Sequence, residues 1–400
     1  MSEKTRRTQV LFYILSVFAY WASLYFYVPT LSVYSEEVTR DLSVVGTIIS
    51  MYGLWQAFAR YPLGILSDLV GRRKLFIILG FIASAVGAFV MMNAGSKWGL
   101  IFGRGITGLS AAVWALVIVG FASLFPPETA VRMTAMMNIV NAFGRALATG
   151  TNGLLNDLGG YDLAFTVAIV FSALAILFFL PIKDPKREPR KPDLKALWTL
   201  STRPDVILPS LLSALLQIVS TAAMFTFVPI IARSFGASDT AISMMTMMNV
   251  FIGVLGNLLI SVLTVRFGNR RVLLGGLALT GIGVTLIATS TSYQVLFAAM
   301  VFLGLGWTTI SILMGMSIRY VREEDRSTAM GLHQSVYGFG MFFGPFLSGY
   351  MAEWIGVHQV FWVLLGVVLV SMLFGGWMIK FIEQRMAGEA HPVSQENAKA

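Results

Sequence analysis

Long uncharged runs alternate with short charged ones along the whole chain of 400 residues. Seven runs hold no Asp, Glu, Lys or Arg: Thr8–Ser35, Leu75–Ser96, Leu163–Ile182, Val206–Ala232, Thr240–Val265, Ser327–Ala352 and Trp354–Ile379. Three more hold one arginine each: Leu42–Ser67 with Arg60, Trp98–Pro127 with Arg104, and Met133–Asn156 with Arg145. A helix needs about 20 mostly apolar residues to cross roughly 30 Å of hydrocarbon, so each run predicts one spanning helix. Val272–Ile318 is uncharged for 47 residues, too long for one crossing, and the polar turn Thr289–Gln294 divides it into two. The pattern predicts an all-α membrane protein of twelve helices, with no room for a separate soluble domain. The first span follows Lys4, Arg6 and Arg7. It is too long for a signal-peptide core and lacks a small-x-small cleavage site, so it reads as a retained helix.

Composition agrees: 56% of residues are hydrophobic and only 12% charged, too few to cover a soluble globule of this size, where roughly 25% is usual. The net charge of +9 would suggest a nucleic-acid partner if the basic residues shared a surface. They instead follow the loops. With the N-terminus inside, 23 of the 29 Lys and Arg lie on the cytoplasmic side. Three lie outside (Arg40, Lys97, Arg233), and the last three are Arg60, Arg104 and Arg145 within the spans. This is the positive-inside pattern, with both termini cytoplasmic in a cell (plasma or inner) membrane. No nucleic-acid partner, cofactor or metal is expected. The chain has no cysteine, and its three histidines have no ligand spacing.

The chain is also a repeat. The basic, proline-containing loop 181–205 lies at its middle and separates a six-helix half, 1–180, from a second, 206–385, with a tail at 386–400. Tyr27-Val28-Pro29 recurs as Phe227-Val228-Pro229, Gly71-Arg72-Arg73-Lys74 as Gly268-Asn269-Arg270-Arg271, and Arg132-Met-Thr-Ala-Met136 as Arg326-Ser-Thr-Ala-Met330. Six helices per half give both halves the same orientation. Parallel repeats of this kind place a substrate site near mid-membrane between the halves.

The loop after the second helix reads Gly64-Ile-Leu-Ser67-Asp68-Leu-Val-Gly71-Arg72-Arg73-Lys74. Gly71 permits a sharp turn. Asp68 can pair with Arg72 or sit at the positive end of a neighbouring helix. In this position the loop resembles the signature of the major facilitator superfamily, and the likeness extends over essentially the whole chain, nearest to the twelve-helix drug and metabolite exporters. The resemblance implies a gating role for Asp68, Gly71, Arg72 and Arg73. The second copy has Val265 in place of the aspartate. Arg104-Gly-Ile-Thr107-Gly108 resembles a second family motif, whose arginine is linked to proton transfer in related exporters. The run around Arg104 also fits GxGxxG, but a dinucleotide site needs a preceding strand, so that reading is rejected. Gly344-Pro345 resembles the glycine–proline motif of antiporters, expected to bend the helix and take part in gating, although in the family it marks the fifth helix rather than the eleventh. The fifth has Gly150-Thr151 instead.

The fifth helix carries Asn138, Asn141, Arg145, Thr149, Asn152 and Asn156 on one stripe. A mid-membrane arginine in such a stripe is a functional feature by default, since it does not face lipid. The alternative is interhelical bonding, against Thr246, Asn249 and Asn257 of the eighth helix. Tyr20, Arg104, Gln217, Trp307, His333 and Tyr337 complete the expected cavity set with Arg145, Asn141, Asn138 and Asn152. No Asp or Glu lies within a span core, so an anionic, zwitterionic or neutral organic solute fits better than a cation. The expectation is a monomeric, non-enzymatic transporter working by alternating access, a proton-coupled exporter of a drug or metabolite. The alternatives are an importer or exchanger of organic anions such as phosphate esters or carboxylates, or a non-transporting membrane sensor.

Overall fold

A computed structural model describes residues 3–184 and 194–396. The middle of the basic loop (185–193) and the last four residues of the tail fall outside them. The side chain of Arg132, one of the repeat matches, and those from 387 onward are also outside the description.

The described residues are helical, without strands. Ten helices are long and apolar enough to span a membrane. They include α1 (Glu3–Tyr25), α2 (Leu42–Val70), α3 (Arg73–Met92) and α4 (Lys97–Ala122). Pro127–Phe179 is a single run of helix in name only. Gly159 leaves helical geometry and Gly160 has φ 68, so the chain reverses there and makes two helices, α5 (127–158) and α6 (161–179). The second half holds α7 (Pro204–Ser234), α8 (Asp239–Phe267), α9 (Asn269–Ala288), α10 (Tyr293–Arg319), α11 (Arg326–Ile355) and α12 (Val357–Met386). α11 is as long as its neighbours but more polar, and it packs on α2 along the seam between the halves. Counting it, and α5 and α6 separately, gives the expected twelve among the described residues. The short helix Leu194–Thr202 occupies part of the expected linker loop.

Apolar side chains on the outer surface mark the lipid-facing belt. On α5, Ile139, Phe143, Leu147, Leu154 and Leu158 are exposed on the face away from the polar stripe. On α12, Leu369, Leu373 and Trp377 do the same. A soluble protein buries such stripes; here lipid covers them.

The repeated tripeptides produce matching breaks. α1 stops at Tyr25 before Pro29, and the chain resumes as a short helix, Leu31–Thr39. In α7, Pro229 lacks the N–H that would bond the carbonyl four residues back, and the helix widens into a π turn over Ala222–Phe227. Thr226 Oγ1 donates to the Thr221 carbonyl inside that turn, at 3.1 Å. The halves meet along two principal contacts, α2 on α11 and α5 on α8. The face that carries the chain ends is called inner below, and the opposite face outer.

Candidate functional site

At the inner end, Gly71 adopts φ 69 and its N–H closes α2 on the Ser67 carbonyl. Asp68 lies 3.5 Å from Arg73, the first residue of α3, rather than pairing with Arg72, which is exposed. Arg72 is still extended as the residue before the helix, and Arg73 is the first residue of α3. Lys74 ties the same turn to the end of α6, its Nζ donating to the Ile182 carbonyl at 2.8 Å and its N–H to Asp184 at 3.0 Å. Val265, in the aspartate's place in the second repeat, is 90% exposed. Replacing Asp68 by Asn is expected to slow turnover roughly two- to fivefold, the effect of about 0.3–1 kcal/mol for a charge at an exposed helix end. Solute affinity in detergent should stay unchanged, and a large loss of affinity would place Asp68 in the binding site instead.

Arg60 sits in the seam. It is buried, and its Nη1 donates to Gln334 Oε1 at 2.6 Å and to the Tyr337 hydroxyl at 3.4 Å, joining α2 to α11. His333, one turn from Tyr337, is fully buried; its Nδ1 lies 3.0 Å from Ser210 Oγ on α7. Its Nε2 is buried without a hydrogen-bond partner.

The centre of the seam holds the other two intramembrane arginines. The guanidinium of Arg145 lies over the Tyr25 ring of α1, 4.5 Å from its centroid, and 5.4 Å from that of Trp307 on α10. Its Nε and Nη2 are buried and make no hydrogen bond. Arg104 lies over the Tyr52 ring at 4.4 Å, with Nε and Nη1 likewise buried and unbonded. A cavity of about 20 Å³, room for roughly one water, separates Arg104 from the other half. It is lined by Tyr25, Val28, Ile49, Tyr52 and Gly53 on one side and by Thr221, Phe225 and Met341 on the other. Tyr25 therefore touches both arginine sites. Trp21 and Trp114 extend the aromatic wall behind it, with ring centroids 5.2 Å apart.

Cation–π contact is worth roughly 0.5–2 kcal/mol. It satisfies no N–H donor, so Nε and Nη2 of Arg145 and Nε and Nη1 of Arg104 stay desolvated. The arrangement is primed for an anionic or strongly hydrogen-bonding group, which a guanidinium fork binds in two-point geometry. Planar apolar surface would lie among the surrounding rings.

The remaining expected residues divide by place. Asn141 is half-buried and Asn138 exposed, at successive inner turns of α5 below Arg145. Gln217 is buried one turn from Thr221, which lines the cavity. Gly344 lets α11 approach α7: a Cβ there would lie 2.8 Å from Thr221 Oγ1 and 2.9 Å from Ile218 Cα. Pro345, inside α11, presents its carbonyl to Gly46 of α2.

Two expected cavity residues are built into the packing instead. Tyr20 is fully buried inside the first half; its hydroxyl donates to the Ser110 carbonyl at 2.7 Å and its ring packs on Phe81. Asn152 donates to the Phe26 carbonyl at 2.6 Å and accepts from Thr30 and Ser243 at 3.0 and 3.1 Å. The outer part of the α5 stripe is thus bonded to α8, through Ser243 and Asp239. Asn249 and Asn257 serve α10 instead, Asn249 donating to the Met300 carbonyl and Asn257 accepting from Ser311. Tyr25, a candidate beside Tyr20 on the first helix, lines the centre; Tyr52 and Phe225 join it without having been singled out by the spacing. Aromatic residues are common at every kind of helix contact, and only the arginines they face distinguish these.

The Major Facilitator Superfamily model matches residues 13–230 and 210–398 of the chain. An uncharacterized MFS-type transporter of Methanocaldococcus jannaschii is 22% identical over 370 residues, covering 86% of this chain and 93% of the relative. The class C tetracycline resistance protein of Escherichia coli is 23% identical, covering 86% and 90%. Among solved structures, a bacterial homologue of the human lysosomal transporter Spinster superposes with a TM-score of 0.79 at 15% identity, over 94% of this chain and 98% of that one.

Proposed function

The chain belongs to the major facilitator superfamily, and from that premise we propose that this multi-pass membrane transporter exports a small organic solute bearing an anionic or polar head and a planar apolar body. The observation that carries the reading is Arg145, held between Tyr25 and Trp307 at the seam with Nε and Nη2 buried and unbonded. Arg104 supplies a second cationic donor across the small central cavity. Export is favoured by the likeness to a tetracycline resistance protein and to multidrug resistance protein 1 of Bacillus subtilis, the latter 23% identical over 84% of this chain and 87% of the relative. The distribution of basic residues supports an orientation with both termini in the cytoplasm.

Coupling to a proton gradient is part of the proposal. With no carboxylate in the span cores, His333 is the titratable group placed to carry the proton, since it is buried in the α7–α11 contact with Nε2 free. The test is a solute screen in proteoliposomes: aromatic carboxylates, phosphate esters, neutral drugs and cationic drugs, each with and without a pH gradient. Gradient-driven flux of anionic or neutral aromatic solutes, with cations ignored, supports the reading. Preference for cations overturns it, and exchange of anions indifferent to pH selects an anion exchanger. His333→Gln is expected to abolish gradient-driven accumulation while leaving solute counterflow intact. Accumulation at the parent level in that variant would remove the proton role from His333.

A further inference from the structure

The outer end of the seam contains the same device twice, related by the repeat. Gly153 on α5 and Gly349 on α11 stand 196 positions apart. Each is followed four residues later by an acid, Asp157 and Glu353, at the outer end of its helix. Gly153 lies against the backbone of Asp239 and Thr240, the first turn of α8 in the other half. Gly349 lies against Leu42 and Gly46, the first turns of α2; a Cβ would sit 2.8 Å from the Leu42 carbonyl oxygen. The following acid then reaches the start of the same opposing helix. Asp157 accepts from Thr240 Oγ1 at 2.6 Å, and Glu353 accepts from the Leu42 N–H. Each glycine brings the backbones close enough for the acid to reach across, and each acid adds negative charge at the positive end of a helix from the other half.

We infer that Asp157 and Glu353 are a pair of outer latches, each carboxylate holding the N-terminus of a helix in the opposite half so that the outer side of the path stays shut. Both lie at the rim, where a single ion contact contributes little. They act nonetheless on an equilibrium between two nearly balanced states, and both bonds exist only when the outer seam is closed. The inner signature loop is one-sided, with Asp68 in one half and Val265 in the other. The outer closure is two-sided. Asp239 and Asn156 reinforce one latch: Asn156 donates to Asp239 at 2.7 Å and to Thr30 at 3.0 Å, and Arg233 neutralises Asp239.

The chain lacks cysteine, so a single reporter thiol needs no background removal. Ile49, buried at the central cavity, is a suitable reporter site. An impermeant maleimide applied to the outer side of cells reaches Ile49→Cys only when the outer seam opens. Asp157→Asn and Glu353→Gln keep size and hydrogen bonding while removing charge. Each is expected to raise the labelling rate about threefold, and the double variant about tenfold. Asp157→Glu, which keeps the charge, should label at the parent rate. Glu37→Gln is the control, because Glu37 bonds Tyr161 within its own half. Parent-rate labelling in the double variant overturns the inference. So does an equal rise in the Glu37 control, which would report general loosening. The experiment uses no solute, so its failure and failure of the proposed substrate class are separate results.

Discussion

Arg145→Ala is expected to abolish solute flux in proteoliposomes without lowering the melting temperature of the purified protein. The two halves of this expectation come from one geometry. The guanidinium contributes no bond to the fold through Nε or Nη2, and its cation–π contacts with Tyr25 and Trp307 are the stabilising interactions that remain. Removing an unpaired buried charge relieves desolvation, so the variant should melt at or above the parent temperature. A charge-assisted hydrogen bond to the solute is worth about 1.5–3 kcal/mol, or roughly 10- to 150-fold in affinity. Two such bonds from one fork take transport below detection when lost. Arg145→Lys keeps the charge but not the fork, and an intermediate loss of about tenfold is expected. A fully active, correctly inserted Arg145→Ala would mean the arginine is neither a solute ligand nor part of the path. A drop in melting temperature matching the loss of flux would make it a packing residue.

How far the sequence carried these conclusions depends on what a single helix can report. Lipid-facing helices declare themselves by uniform hydropathy, and the polar α5 stripe declares its buried face by period. Intramembrane arginines stand out because charge there is costly, and all three lie at the seam. What one helix cannot report is which partner its polar face meets. Asn152 and Arg145 share a stripe, yet α5 passes from the proposed solute region to the closed outer seam between them. Asn152 is therefore spent on Phe26, Thr30 and Ser243. Tyr20 stands in series with Tyr13 and Tyr27, but helix rotation turns it into the first half, where its hydroxyl donates a hydrogen bond to the Ser110 carbonyl. The two glycine–acid pairs proposed as outer latches stand in the sequence as Gly153-x-x-x-Asp157 and Gly349-x-x-x-Glu353. Their meaning needs the opposing helix starts, which the chain supplies more than 80 residues away for one and about 300 for the other.

Gly46→Val is expected to trap the transporter open to the outer side. Gly46 faces α11, where its missing side chain leaves room for the Pro345 carbonyl and for Gly349 Cα, 2.9 Å from where a Cβ would stand. These are backbone atoms, so no rotamer change can make space; the two helices must separate. The contact continues inward, with Gly53 against Met341 and Phe342 and Gly338 against Ala57. Separation at Gly46 therefore loosens the length of the α2–α11 seam. Under the proposed opening of the outer seam, in which α2 and α11 part at this end, the penalty falls on the closed state alone. Overpacking of this kind costs about 1–3 kcal/mol, enough to shift a two-state balance by roughly 5- to 150-fold. Flux should fall to background, while solute binding from the outer side persists and Ile49→Cys labels rapidly. Gly64→Val on the same helix meets nothing within 4 Å and should transport normally. Because the same substitution five helical turns away is expected to be harmless, a lost flux with rapid outer labelling assigns the defect to closure of the seam. Normal flux in Gly46→Val would show that α2 and α11 need not approach this closely in any step of transport.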